Sequence, residues 1–370
     1  MDQSLTRETN EDQRAQFEKR VIAHPALDSV FKDLRAVIHR PGVVPLIEVV
    51  GPTGVGKSTL VKKLYADTLK ESTEAMKTNP GLIPIILVEA PSPDNGSFHW
   101  GDFYERFLEA AFEPMIERKS VKDFEAEFRD GAKKTSAFAG LRRAVEQCIR
   151  YRGTKIVIID EAQHLTKVHN ARRLQDQMDT IKSLASLAGV QFILVGTYEL
   201  LALLNQNGQL ARRSRCIHFR RYHFEKPADR QTFLNVLGMF QSRLPVQASG
   251  LLVENVEYIY EHCLGLVGVL KDWLKLACEH AIRAGRTLLK LQDLQETALS
   301  NGSLLQMLQE ILEGEARIEG SMLHGDKLRE KLGLQKAESP TAPLGMGKPI
   351  SPRRGVGERK PNRDPVGVAL

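Results

Sequence analysis

The sequence holds no stretch approaching the ~20 consecutive apolar residues that cross a bilayer. Its first residues, MDQSLTRETNEDQR, include no apolar h-region. A membrane span, a membrane partner and a secretory leader are therefore not expected, and the chain reads as a protein of the bacterial cytosol. Cysteine is scarce: Cys148, Cys216, Cys263 and Cys278 are scattered, and no two form a C-x-x-C pair. This spacing argues against a disulfide framework or a zinc site and fits a reducing compartment. No internal repeat is visible.

The composition is that of a soluble globular protein, 42% hydrophobic and 26% charged. At 370 residues the chain exceeds one ordinary core, so a large domain with a smaller appendage is expected. The net charge of +6 is unevenly placed. Lys348, Arg353, Arg354, Arg359, Lys360 and Arg363 face only Glu358 and Asp364 in the last thirty residues, so this tail carries most of the excess. Such a balance permits nucleic-acid binding without demanding it.

Residues 21–38 carry an apolar repeat that predicts a helix starting near Asp28 and broken by Pro41-Gly42. Short apolar runs at 46–50, 82–89, 155–160, 191–196 and 216–219 then read as strands. Helical spacing recurs at 57–69, 103–116 and 138–149. Continuous apolar strands alternating with helices mean an α/β fold, a parallel sheet covered on both faces. After Pro227 only helices follow, at 230–244, 253–263 and 267–283, with a further pair between 291 and 334. The expected organisation is an amino-terminal extension with a helix (1–40), an α/β domain (41–225), a helical lid (226–300), carboxyl-terminal helices (301–335) and a disordered basic tail rich in Pro and Gly (336–370).

Between the first strand and its helix lies GPTGVGKS, residues 51–58, which satisfies G-x-x-x-x-G-K-[S/T]. Gly51, Gly54 and Gly56 let the loop Gly51-Pro52-Thr53-Gly54-Val55-Gly56 wrap a phosphate closely, and its N–H groups after Pro52, with those of the helix start, supply partial positive charge. Lys57 would reach the β- and γ-phosphates of ATP, and Ser58 would ligate Mg²⁺. Thr59 is structural or lies near the α-phosphate. IVIIDEAQ, residues 156–163, ends a buried strand in two acids at its carboxyl edge, where α/β sheets place ligands. Asp160 would hold the Mg²⁺ shell and Glu161 would act as general base toward water. Glu89, ending the preceding strand, is a weaker candidate.

Three further segments carry a resemblance. FILVGT (192–197) resembles the sensor 1 strand of the AAA+ ATPases, which assigns Thr197 to the γ-phosphate or the water. Ser214-Arg215-Cys216 resembles the SRC motif of clamp loaders. That implies an arginine finger at Arg215 for a neighbouring subunit's site, with Arg212 and Arg213 close enough to compete. HCLGLVGVLKDWLKLA (262–277) resembles the sensor 2 helix, although the usual Arg is missing and Lys271 is the nearest cation. The order VVGPTGVGKST, IVIIDEAQHL, ILVGTYEL, QLARRSR, GLVGVL is similar to the TnsC/TniB family of transposition ATPases. The resemblance implies an AAA+ P-loop NTPase that forms a homo-oligomeric ring or filament on double-stranded DNA. It further implies delivery of that DNA to a transposase of the DDE integrase type, with a targeting factor possible. DNA contacts would come from Lys119, Lys122, Arg129, Lys133 and Lys134, beside Arg118 and Thr135. A solvated polar loop is the alternative for that stretch. ATPases of secretion, signalling or replication initiation remain the alternative for the whole.

Overall fold

A computed structural model describes residues 17, 22–39, 45–93, 96–120, 135–168, 171–204, 214–323 and 331–332. The chain divides into two compact units, Met1–Ile318 and Glu319–Leu370. The expected tail, 336–370, lies outside the described residues, as do Lys122, Arg129, Lys133, Lys134, Arg212 and Arg213.

Five strands form one parallel sheet: β1 (Leu46–Val50), β2 (Ile85–Glu89), β3 (Ile156–Asp160), β4 (Gln191–Gly196) and β5 (Ser214–His218), in the order β2-β3-β4-β1-β5. The order inserts β4 between the strand that precedes the glycine loop and the strand that ends in Asp160. The chain leaves β1 toward one edge and later crosses it to reach β5, so the topology reverses beside β1, where open α/β sheets bind ligands.

Alternation along each strand sends side chains to opposite faces. Leu46, Val50, Val157, Ile159, Phe192 and Leu194 meet Phe103 and Phe107 of helix α4 (Trp100–Ala110), Leu141 and Val145 of α6 (Thr135–Tyr151) and Met178 and Ile181 of α7 (Ala171–Ala188). Ile47, Val49, Ile158, Ile193 and Val195 meet Leu27, Val30 and Leu34 of α1 (Pro25–Ile38) and Leu60, Val61 and Leu64 of α2 (Lys57–Glu71). Each such side chain contributes about 1.5–3 kcal/mol on full burial, and this two-sided burial is what makes the strands read as unbroken apolar runs.

A third cluster is entirely helical over most of its extent. Phe233, Val236, Leu237 and Phe240 of α9 (Pro227–Gln241) pack with Leu252 of α10 (Leu251–Glu254), Ile259 of α11 (Val256–Cys263), Leu270, Leu274 and Ala277 of α12 (Val267–Arg283) and Leu294 of α13 (Leu291–Thr297). Trp273 Nε1 donates to the Leu294 carbonyl at 3.1 Å, which satisfies the one polar atom of its ring. A further helix, α14, spans Asn301–Leu323. The remaining helices, α3 (Thr73–Thr78), α5 (Ile116–Ser120) and α8 (Leu201–Leu204), are connectors. No described helix is long and apolar enough to cross a membrane.

Several boundaries differ from those expected, each for a local reason. Helix α1 starts at Pro25 rather than Asp28, because a proline with its fixed φ suits the first helical position. Strand β2 starts at Ile85 and not at 82, because Pro84 has no N–H to donate, and its carbonyl instead receives Lys155 N–H at 2.9 Å. Helix α4 stops at Ala110, short of 116, where Phe112 and Met115 adopt positive φ. Strand β5 begins two residues early, at Ser214. Helix α7 goes beyond the elements expected. Its apolar residues Leu174, Met178, Ile181, Leu184 and Ala185 are spaced three or four apart among charged and amide side chains.

One residue departs from the pattern. Glu48 lies inside β1 opposite Leu194 and Cys216, only 1% exposed, and neither carboxylate oxygen has a hydrogen-bond partner among the described residues. Burial pushes its pKa up from 4.5 to about 8. A raised folded-state pKa means stability is full below about pH 4.5 and is lost as pH rises through 8. Replacing Glu48→Leu is therefore expected to stabilise the fold by about 1–3 kcal/mol at pH 9 and by much less at pH 5. Thermal melts of both proteins across that range check this. A Leu variant no more stable than the parent at pH 9 refutes it.

Candidate nucleotide-binding site

The loop after β1 enters α2 through Gly56, whose φ of +114° is open to glycine and strained for any L side chain. The first amides of α2 point out of the helix end with no side-chain cap. Within this turn Lys57 is only 7% exposed. Its Nζ donates to the Gly51 carbonyl at 3.0 Å and to the Pro52 carbonyl at 2.9 Å. Burial pulls its pKa down to about 8, while Glu161 and Asp160 oppose that shift, so both carboxylates act on the ammonium. An ammonium has three donors, and two are used here. The third N–H, the α2 amides and the exposed Ser58 hydroxyl are a donor set that fits a phosphate and its cation.

Asp160 ends β3 opposite Glu89, with Oδ1 accepting the Glu161 N–H at 3.0 Å. Burial raises its pKa, which a bound cation would reverse. Glu161 itself has φ +52°, a left-handed conformation that is uncommon for a residue with a long side chain. Gln163, absent from the candidates expected from sequence, holds the arrangement together. Its Nε2 donates to Glu161 Oε2, and its Oε1 accepts the Thr197 N–H at 3.2 Å. One buried amide thus joins the acidic turn after β3 to the end of β4. The only sequence signal for it is an amide inside the short AQHL turn, between Ala162 and His164.

Thr197 follows Gly196, which pairs with Val50, so it stands beside the start of the glycine loop. Arg215 is elsewhere. It lies inside β5 opposite Ile47, three residues before the strand end and so roughly 10 Å from that edge. An exposed position on an edge strand keeps it out of its own chain's loop. Lys271 sits one turn beyond Gly268 on α12 and is half-buried. Lys119 on α5 is paired with Glu113, which also accepts from Arg152 Nε at 2.9 Å. Around the same hollow of about 640 Å³ stand Arg118, Arg143 and Arg152, two of them beyond the cations expected from sequence.

Two segments from the carboxyl-terminal half reach the glycine loop. Gly268 N–H donates to the Gly54 carbonyl at 2.7 Å, joining the start of α12 to the loop. Across a cleft of about 450 Å³, Glu310, Glu313, Gly314 and Arg317 of α14 face Pro52, Thr53, Gln163 and Thr197. Neither contact is legible from local sequence.

At Gly268 a Cβ would stand 2.4 Å from the Gly54 carbonyl oxygen and 3.0 Å from its carbon, both backbone atoms. Gly268→Val is expected to part α12 from the loop and to cost about 1–3 kcal/mol. Thermal melts and limited proteolysis, in which α9–α13 should be cut earlier than the sheet, check this. Unchanged stability and cleavage would show that the lid does not depend on this contact.

Residues 45–204 match the AAA domain family. No curated protein matches the chain in sequence. Among solved structures, the Walker-type ATPase PABY2304 of Pyrococcus abyssi is similar at 16% identity and TM-score 0.47, over 85% of this chain and 79% of that one. The Aeropyrum pernix ORC2 protein in its ADP form is similar at 18% identity and TM-score 0.48, over 77% and 71%. Domain III of the Thermotoga maritima replication initiation protein DnaA is similar at 15% identity and TM-score 0.41, over 76% and 94%. With a glycine loop, an acid-tipped β3 and the order β2-β3-β4-β1-β5, this chain has the AAA+ P-loop fold, and its residues 45–204 match the AAA domain family.

Proposed function

We propose that the protein binds Mg·ATP at residues 51–59, hydrolyses it to ADP and phosphate, and uses the cycle to assemble on double-stranded DNA and present it to a transposase. The observation that carries the nucleotide part is Lys57, a buried ammonium with one unspent donor, within electrostatic reach of Asp160 and Glu161. The transposition part rests on the order of motifs shared with the TnsC/TniB family.

In this reading the third N–H of Lys57 donates to a terminal phosphate oxygen. Ser58 Oγ and the Asp160 carboxylate would hold Mg²⁺, which when bound neutralises phosphate charge. The Glu161 carboxylate takes the proton of the attacking water, and Gln163 keeps that carboxylate aimed by holding Oε2. Thr197 lies at the β4 edge where its hydroxyl would meet the same water or the terminal phosphate. Arg215, kept from its own site by its place in β5, suits a finger that stabilises charge in a second copy's site. Lys271 would serve the nucleotide from the lid. Positive charge around Lys119, with Arg118, Arg143 and Arg152, supports contacts to DNA phosphates, which need cations and no base-reading side chains.

Calorimetry with Mg·ATP tests the first part, and Lys57→Ala is expected to abolish binding. Glu161→Gln should bind ATP normally and hydrolyse it about 10²–10⁴-fold more slowly. Normal hydrolysis by Glu161→Gln would remove the base assignment. Arg215→Ala should lose turnover when alone and regain part of it when mixed with Lys57→Ala, which offers an intact arginine to an intact pocket. If mixing restores nothing, Arg215 has a local role. Retention of duplex DNA at low salt with a non-hydrolysable ATP analogue tests assembly. An ATPase that retains no DNA would point instead to secretion, signalling or another non-DNA role.

A further inference from the structure

Helix α14 is held against the sheet domain by three kinds of contact. Leu304 and Ile311 are buried in the same cluster as Val55 of the glycine loop, with Met307 and Leu308 packed on it. Gly314 lies flat on the Tyr198 ring, where a Cβ would stand 2.1 Å from ring carbons. Glu315 accepts Arg221 Nε–H at 3.1 Å and a terminal Arg221 N–H at 3.3 Å, with both side chains about nine-tenths buried. Arg221 also donates to the Tyr260 hydroxyl at 3.0 Å, which donates to the Tyr222 carbonyl at 2.9 Å. A single polar chain therefore binds α14 to the segment leaving β5 and to lid helix α11.

The face between these anchors is charged. Glu310, Glu313 and Arg317, spaced i, i+3, i+7, look into the cleft opposite Thr53, Gln163 and Thr197. Glu310 and Arg317 make no hydrogen bond or ion pair among the described residues, and Glu313 accepts only from Gln309 on its own helix. From the other wall come His164 and the Lys167–Glu199 pair, which is matched at 2.7 Å. The unmatched charge of the cleft is thus two carboxylates against one guanidinium, a net negative field. Thr197 and Gln163 mark the side of the loop where a terminal phosphate lies in the function proposed above.

We propose that α14 is a nucleotide-sensing cap: seated, it sets Glu310 and Glu313 against the γ-phosphate and disfavours ATP relative to ADP. Bound ATP correspondingly unseats it and opens the cleft to a cation from a second copy of the chain. Repulsion between like charges that face each other across the cleft supplies the discrimination. Linkage makes it reciprocal, since what weakens ATP binding while the helix is seated must weaken seating while ATP is bound. This inference rests on the proposed nucleotide site and adds its regulation.

The test uses the full chain, with Mg·ADP and a magnesium-bound, non-hydrolysable ATP analogue titrated by calorimetry. Glu310→Gln with Glu313→Gln should raise the ratio of ATP-analogue to ADP affinity about fivefold or more, and Arg317→Gln should lower it. Both changes are at the solvent-facing cleft and leave the Arg221–Glu315 pair intact. Amide exchange of residues 301–318 should accelerate with the ATP analogue and not with ADP. A ratio that stays within twofold of the parent, or exchange indifferent to the nucleotide, overturns the cap while leaving the ATPase standing. Failure of the parent protein to bind either nucleotide overturns both.

Discussion

Burying an ammonium is costly unless its donors are met, and Lys57 is the place where this protein accepts that cost. The Gly51 and Pro52 carbonyls meet two donors, and the field of Asp160 and Glu161 offsets part of the desolvation. Everything near the carboxyl edge of the sheet serves this arrangement. β1 delivers the loop, β3 delivers the acids, β4 sits between them, and the left-handed Gly56 turns the chain so that α2 begins with its amides facing the same point. A neutral residue at position 57 would avoid this desolvation and leave an anion only the α2 amides and the Ser58 hydroxyl.

Much of this was legible in the sequence because it is local. A glycine loop between an apolar run and a helical repeat announces both its conformation and its chemistry, and the strands announce themselves because both sheet faces are covered. What escaped was either diluted or distant. Helix α7 keeps its apolar spacing under many polar side chains, so the periodicity is present and weak. Gln163 gains its meaning only when β3 and β4 are neighbours, since its amide spans thirty-four residues of sequence to reach Thr197. The contacts of Gly268 and of α14 with the loop cross more than two hundred residues, and no spacing rule connects them.

Position within a strand also changed the reading of one motif. Ser214-Arg215-Cys216 looks like the approach to a strand, yet in the fold it is the beginning of β5 itself. Pairing with Leu46 and Ile47 fixes these residues at the amino-terminal part of the sheet, far from the nucleotide edge. An arginine so placed has no route to its own loop by rotamer change, because a side chain cannot exchange the ends of a paired strand. The register thus separates Arg215 from the glycine loop of its own chain, which the motif alone does not show.

The loop is also where the separately packed parts of the chain converge. Its Gly54 carbonyl takes the Gly268 N–H at the start of α12, and its Val55 side chain is buried in the same apolar cluster as Leu304 and Ile311 of α14. The lid and α14 are joined to each other by Arg221, which meets Glu315 and Tyr260 at once. These contacts close a circuit: loop to lid, lid to α14, α14 to loop. Packed side chains and short hydrogen bonds do not stretch continuously, so a displacement of the loop by a bound anion cannot be absorbed at one joint alone. Either the lid follows the loop and the Arg221 network holds, or α14 parts from the loop and the network must yield. The loop is thereby joined, through packing and hydrogen bonds, both to the helices that follow β5 and to α14.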